Sequence, residues 1–170
     1  MALLLQATHG AGDPGQAATK LLNQMVAKAV GAAAAGWHYY LGQDNRARGD
    51  WPASRQELQT AYGLAPERSD IKSALAGVLV AGNRDDWQQG LQLIQPVLDE
   101  FPENPEFRNT RGLLLARLGQ NKAAAADLEF AVTKLTNAAA SRLELAKVYD
   151  ALGKSQQAEQ QRKLANAARR

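Results

Sequence analysis

The chain has 170 residues, enough for one domain with a substantial core, and a formal net charge of +3. Ala, Leu, Gln, Arg, Lys and Glu dominate, and this composition predicts an all-α fold. The absence of cysteine excludes a disulfide framework, a thiolate metal site and a thiol nucleophile. The apolar run 29–37 is mostly Ala and Gly and follows Lys28, so we expect a soluble chain without membrane insertion.

The N-terminal stretch HGAGDPGQAATKLL, residues 9–22, has glycines in the spacing G-x-G-x-x-G at Gly10, Gly12 and Gly15. In dinucleotide-binding proteins this spacing cradles a pyrophosphate, but it must follow a strand and precede an acidic residue by about 20 positions. Only MALLLQATH precedes Gly10, and no Asp or Glu stands between Asp13 and Asp44. We therefore interpret the glycines as a turn between helices and expect no cofactor.

Similar turns recur along the chain. They are Gly12-Asp13-Pro14, Gly49-Asp50-Trp51, Asp85-Asp86-Trp87, Gly119-Gln120-Asn121 and Gly153-Lys154-Ser155, spaced by 37, 36, 34 and 34 residues. Five residues after the first residue of each turn stands a small side chain: Ala17, Ser54, Gly90, Ala124 and Ala158. Nine residues after it stand Leu21, Leu58, Ile94, Leu128 and Arg162. Seven residues before it stand Leu5, Gly42, Val78, Gly112 and Ala146. Agreement in several columns predicts a repeat architecture.

The repeat resembles the tetratricopeptide repeat (TPR), a helix–turn–helix unit of about 34 residues. The segments that carry the resemblance are LGQDNRARGDWPASRQELQTAYGLAP, RGLLLARLGQNKAAAADLEFAV and LAKVYDALGKSQQAEQQRKLA. The resemblance implies a right-handed superhelical solenoid of antiparallel helix pairs, with four full repeats and one truncated N-terminal repeat. It covers a single domain, with repeats at approximately 1–34, 35–70, 71–104, 105–138 and 139–170. The chain departs from the family pattern at Thr8 and Asn45, where an aromatic residue is usual, and at Pro96 inside a second helix.

The columns predict how neighbouring helices pack and where they end. Small residues let two helices approach closely, so we expect Gly112, Ala124 and Ala158 to be buried at helix crossings. Glycine takes the left-handed conformation that ends many helices, and Asp caps the start of the next one. This predicts helix ends at Gly12, Gly49, Gly119 and Gly153, and N-caps at Asp13, Asp50 and Asp86, with Pro14 in a first helical turn. In the family, the column of Trp51 and Trp87 packs between the helices.

Catalytic motifs are missing from the sequence. It contains no P-loop, no G-x-S-x-G elbow and no H-E-x-x-H pair. Its two histidines, His9 and His38, stand apart, and the Asp85-Asp86 pair lies at a turn where capping explains it. We therefore predict a non-enzymatic protein without a metal site.

In the family, the first helix of each repeat lines a concave face that binds other polypeptides, and the resemblance implies the same here. The corresponding positions are Tyr39, Gln43 and Arg46, then Lys72, Leu75 and Leu79, then Asn109, Leu113 and Arg117, and finally Leu143, Lys147 and Asp150. Each repeat contributes one cation, with apolar side chains between. Such a groove suits a peptide or protein segment with spaced acidic residues and apolar anchors, and it predicts no small-molecule substrate.

Three further expectations concern the ends of the chain. Residues 141–170 carry seven Lys or Arg and three acids, so binding of nucleic acid or an anionic surface is the alternative function. The last predicted helix of this segment is polar, which suits a capping repeat. At the N-terminus, the side chains of Leu3, Leu4 and Leu5 point in three directions. This predicts that a second copy of the chain, a partner or preceding repeats cover them.

We expect a cytoplasmic protein by default, and a periplasmic one if the chain belongs to a longer exported array.

Overall fold

The structure is a computed structural model that describes residues 19–25 and 31–168. Every regular element in these residues is helical, as the composition predicts. Residues 19–25 are helical, and α1 to α8 then follow in chain order: α1 Ala32–Ala47, α2 Trp51–Leu64, α3 Ser69–Leu79, α4 Arg84–Glu100, α5 Pro105–Arg117, α6 Asn121–Lys134, α7 Ala139–Ala151 and α8 Ser155–Ala167. Within the described residues, no helix combines the length and apolarity that a bilayer crossing requires.

The chain divides into two compact units, Met1–Val78 and Leu79–Arg170. In the first unit, α1 and α2 form an antiparallel pair, because Gly42 lies against Leu58 while Ala35 shares a buried cluster with Ala61 farther along α2. The hydroxyl of Ser54 on α2 donates a hydrogen bond to the carbonyl of Gly42 at 2.7 Å, which joins the two helices at their closest approach. Ile71 on α3 completes the cluster and is fully buried.

In the second unit, α5 pairs with α6 and α7 pairs with α8, while α4 packs on α5 and α6 packs on α7. Gly112 on α5 lies against Leu128 on α6, the same pairing of columns as Gly42 with Leu58. Ala124 and Ala158 are fully buried, and Gly112 is buried, as the repeat columns predict. The small residues therefore mark close helix contacts.

The turns confirm most of the predicted helix ends. Gly49, Gly119 and Gly153 follow α1, α5 and α7 with φ of 80°, 76° and 73°, a left-handed conformation that only glycine adopts freely. The Asp50 carboxylate caps α2 by accepting a hydrogen bond from the amide of Ala53 at 3.1 Å. The predicted turn at Gly12, Asp13 and Pro14 lies outside the described residues.

Two local predictions are wrong. The N-cap of α4 is Asn83 rather than Asp86, because α4 begins at Arg84; Asp86 instead completes a capping box by accepting from the Asn83 amide at 3.0 Å. Trp51 does not pack between helices, since it is the first residue of α2 and 46% exposed. Trp87 is half-buried, and its indole nitrogen donates to the carbonyl of Val80 at 3.2 Å.

Candidate protein-binding faces

In the second unit, the first helices of two successive pairs, α5 and α7, lie side by side and contact each other. The predicted groove residues on each helix are three or four positions apart and so share one side of it. We call the surface formed by Asn109, Leu113, Arg117, Leu143, Glu144 and Lys147 the α5–α7 face. Leu113 and Leu143 are half-buried there, and Lys147 is exposed.

A carboxylate joins the two cations of the α5–α7 face. Arg117 Nη1 lies 3.2 Å from Glu144 Oε2, and Lys147 Nζ lies 2.9 Å from Glu144 Oε1. Burial by itself raises the pKa of the Glu144 carboxyl, but the hydrogen bonds from Lys147 and Arg117 outweigh burial and hold that pKa below its usual range. The three groups together carry one net positive charge, and both cations bind the same carboxylate.

The other two predicted residues of this unit's groove have different surroundings. Asp150 forms an ion pair with Arg162 on α8, and Arg162 also lies 3.9 Å from Glu159. The Asn109 side-chain oxygen is buried, and no hydrogen bond reaches it from the described part of the chain. Asp150 is thus paired with a cation, and the Asn109 oxygen is an acceptor without a partner among the described residues.

In the first unit, Tyr39, Gln43 and Arg46 follow one stripe of α1. Gln43 Nε2 donates to the Tyr39 hydroxyl at 3.4 Å, and its Oε1 is a second buried acceptor without a partner among the described residues. Arg46 is exposed at the end of the stripe, and Lys72 on α3 is half-buried.

Arg68 is a cation beside the stripe of Tyr39, Gln43 and Arg46, and no pattern in the sequence predicted it. The Arg68 guanidinium lies 5.9 Å from the centre of the Tyr39 ring. Two hydrogen bonds, of 2.6 and 3.1 Å, hold Arg68 to Asp70, and they keep the pKa of the Asp70 carboxyl below its usual range.

Leu75 and Leu79 do not belong to an exposed face, because they are 0% and 1% exposed. Their assignment to the groove depends on aligning Val78, seven residues before Asp85, with Gly42. Gly90 follows Ala76 by 14 residues, whereas Ser54 follows Gly42 by 12, so the chain carries two extra residues between α3 and the middle of α4. Aligning Ala76, rather than Val78, with Gly42 moves the stripe to Ser73 and Gly77, which are half-buried.

A charged cluster that the sequence reasoning missed lies inside the second unit. Asp127 on α6, with only 4% of its side chain exposed, accepts hydrogen bonds from Arg111 Nε at 2.6 Å and Nη2 at 2.8 Å. Arg108 lies 3.5 Å from the same carboxylate, and Arg111 also donates to Gln95 on α4 at 3.2 Å. These bonds tie α4, α5 and α6 together, so we assign the cluster a structural role.

The remaining candidates for catalytic or metal chemistry are the histidines and the acidic groups. His38 Nδ1 lies 2.6 Å from Glu57 Oε2, and both side chains are half-buried between α1 and α2. Within residues 19–25 and 31–168, no three His, Cys, Asp or Glu side chains come together in a group able to hold a metal ion. His9 lies outside the described residues.

No protein-family model matches the chain, and comparison with curated proteins found no match. Solved structures do match. MamA from AMB-1 is 22% identical, with 91% of this chain and 89% of that chain covered and a TM-score of 0.68. MamA from MSR-1 is 21% identical, with 91% and 86% covered and a TM-score of 0.67. TTC0263, a thermophilic TPR protein in Thermus thermophilus, is 22% identical, with 89% and 81% covered and a TM-score of 0.65. Helix pairs, packing columns and structural likeness agree, and the chain has a TPR-like fold.

Proposed function

We propose that the protein is a non-enzymatic scaffold that binds a peptide or protein segment carrying acidic and apolar residues. The observation that carries the proposal is that Arg117 and Lys147 both contact Glu144 on the α5–α7 face, with Leu113 and Leu143 half-buried on the same surface. Proteins of this fold commonly bind polypeptides along their first helices.

The chemistry of the face fits such a segment. Two cations supply charge-assisted hydrogen bonds to carboxylates, and half-buried leucines accept apolar side chains between them. Both cations are partly exposed, so we expect them to contribute more to partner selection and association rate than to raw affinity.

Selection of peptides from a displayed random library tests the proposal. We expect the wild-type chain to enrich peptides that combine Asp or Glu with apolar residues. The double variant Arg117→Glu, Lys147→Glu should lose these peptides while its helicity, measured by circular dichroism, stays unchanged.

The matched control is Lys122→Glu with Lys134→Glu, which changes the net charge equally through two lysines of α6, outside the α5–α7 face. This control should select the same peptides as the wild type. Unchanged enrichment by the Arg117→Glu, Lys147→Glu variant would place the binding site elsewhere on the chain.

The alternative function, binding of nucleic acid or an anionic surface by the basic C-terminal part, gains no support from the geometry. Arg142 donates to the Val132 carbonyl at 2.8 Å and to Gln161 at 3.0 Å. Lys147 and Arg162 form ion pairs with acids, as described above. Acids thus offset part of the positive charge of the C-terminal part, so we do not propose this function.

A further inference from the structure

Glu144 occupies an unusual position on the α5–α7 face. Its side chain is 20% exposed, less than the 36% of Arg117 and the 68% of Lys147. One carboxylate oxygen faces each cation, so Glu144 bridges a cation of α5 and a cation of its own helix, α7. A carboxylate therefore already lies where the proposed function would bring the carboxylate of a partner.

We propose that Glu144 is an internal competitor, a carboxylate of the protein itself that weakens the binding of acidic segments to Arg117 and Lys147. This inference rests on the proposed function, because it concerns the regulation of the same site. In the free protein Glu144 already binds both cations, and its negative charge repels an acidic partner.

The hydrogen bonds to Glu144 do not use every donor of the two cations. The hydrogen bonds to Glu144 come from Arg117 Nη1 and Lys147 Nζ. A guanidinium has five N–H donors and an ammonium three, so both cations keep donors for an incoming carboxylate. That carboxylate would lie close to Glu144, and the repulsion between the two acids would lower the affinity. Ion pairs between partly exposed groups are weak, so their rearrangement on binding costs little.

Glu144→Gln keeps the shape of the side chain and removes its charge. The probe is a fluorescein-labelled peptide of 12 residues in which Glu and Leu alternate, measured by fluorescence anisotropy. The same peptide with Gln for Glu and the same dye is the neutral peptide, since it lacks side-chain charge. We expect Glu144→Gln to bind the acidic peptide about two- to fivefold more tightly than the wild type. Binding of the neutral peptide should stay the same, and added salt should reduce the difference.

The matched control is Glu103→Gln. Glu103 lies in the same unit and forms an ion pair of 3.6 Å with Arg108, a cation outside the α5–α7 face. Its substitution changes the net charge by the same amount, so equal tightening by both variants would overturn the proposal in favour of a general charge effect. Glu144→Ala, which also removes the carboxylate, should tighten binding as Glu144→Gln does.

The remaining outcomes separate the inference from the function on which it rests. Unchanged or weaker binding by Glu144→Gln and Glu144→Ala, with binding abolished by Arg117→Glu and Lys147→Glu, would refute the competitor and leave the proposed function standing. If the wild type and every variant fail to bind the acidic peptide, both ideas are wrong.

Discussion

Gly42→Ala tests the close crossing of α1 and α2. A Cβ atom at Gly42 would lie 2.7 Å from Leu58 Cγ, 3.0 Å from Leu58 Cδ2 and 3.3 Å from the carbonyl oxygen of Ser54. Leu58 and Ser54 are fully buried, so neither moves away without opening the helix pair. Opening the pair would also lengthen the 2.7 Å hydrogen bond between the Ser54 hydroxyl and the Gly42 carbonyl.

Two contributions of opposite sign set the size of the effect. Overpacking in a closely packed core costs about 1–3 kcal/mol. Alanine is favoured over glycine inside a helix by about 1 kcal/mol, which offsets part of that cost. We therefore expect Gly42→Ala to lower the free energy of unfolding by up to about 2 kcal/mol.

Gly77→Ala is the matched control, because Gly77 lies inside α3 of the same unit and a Cβ atom there would meet no atom within 4 Å. Only the helix preference then acts, so we expect this variant to gain about 0.5–1 kcal/mol. Urea unfolding followed by circular dichroism measures both variants. If Gly42→Ala gains stability as Gly77→Ala does, the two helices are farther apart than the structure places them.

Three further predictions concern the second unit. Ala124→Leu should lower the free energy of unfolding by about 1–3 kcal/mol in urea unfolding, because Ala124 has no exposed surface, and unchanged unfolding would contradict the packing register. Asp127→Asn should cost about 2–3 kcal/mol in the same assay, because it removes the acid that pairs with Arg111, and a neutral result would show that the bonds contribute little. Burial and the hydrogen bond to Glu129 raise the pKa of Tyr149 to about 12, so its stabilising contribution is complete below the usual tyrosine pKa of about 10 and is lost as pH rises from there towards 12. Tyr149→Phe should consequently lose less stability than the wild type as pH rises from about 10 towards 12, and equal losses would refute the assignment.

The fold was predictable because the features that define it are local. A small residue and a leucine recur at fixed distances from a turn, and these distances place Gly42 against Leu58 and Gly112 against Leu128. Glycines at the turns predict helix ends for the same reason, since the left-handed conformation depends on one residue and its neighbours.

The partners of charged side chains were not predictable from the columns. Arg117 meets Glu144 27 positions later, and Arg111 meets Asp127 16 positions later. Both pairings depend on the rotation of each helix about its axis and on side-chain conformation, which repeat spacing does not specify. Trp51 shows the same limit, because its column predicts a buried position, yet it begins α2 and is largely exposed.

The wrong assignment of Leu75 and Leu79 shows which repeat feature keeps its register. The net gain of two residues arises where α4 begins. The N-cap Asn83 stands seven residues before Gly90 and seven after Ala76, whereas the N-cap Asp50 stands four before Ser54 and eight after Gly42. The same shift within a helix would rotate a small residue by about 200°, since each residue turns the helix by about 100°, and would take it out of the helix crossing. Ala76, which has no exposed surface, shares the column of Gly42, Gly112 and Ala146, whereas Asp85 need not match Gly49. Counting from the small residues assigns Ser73 and Gly77 to the face of α3, where the short side chains leave Lys72 as the neighbouring cation.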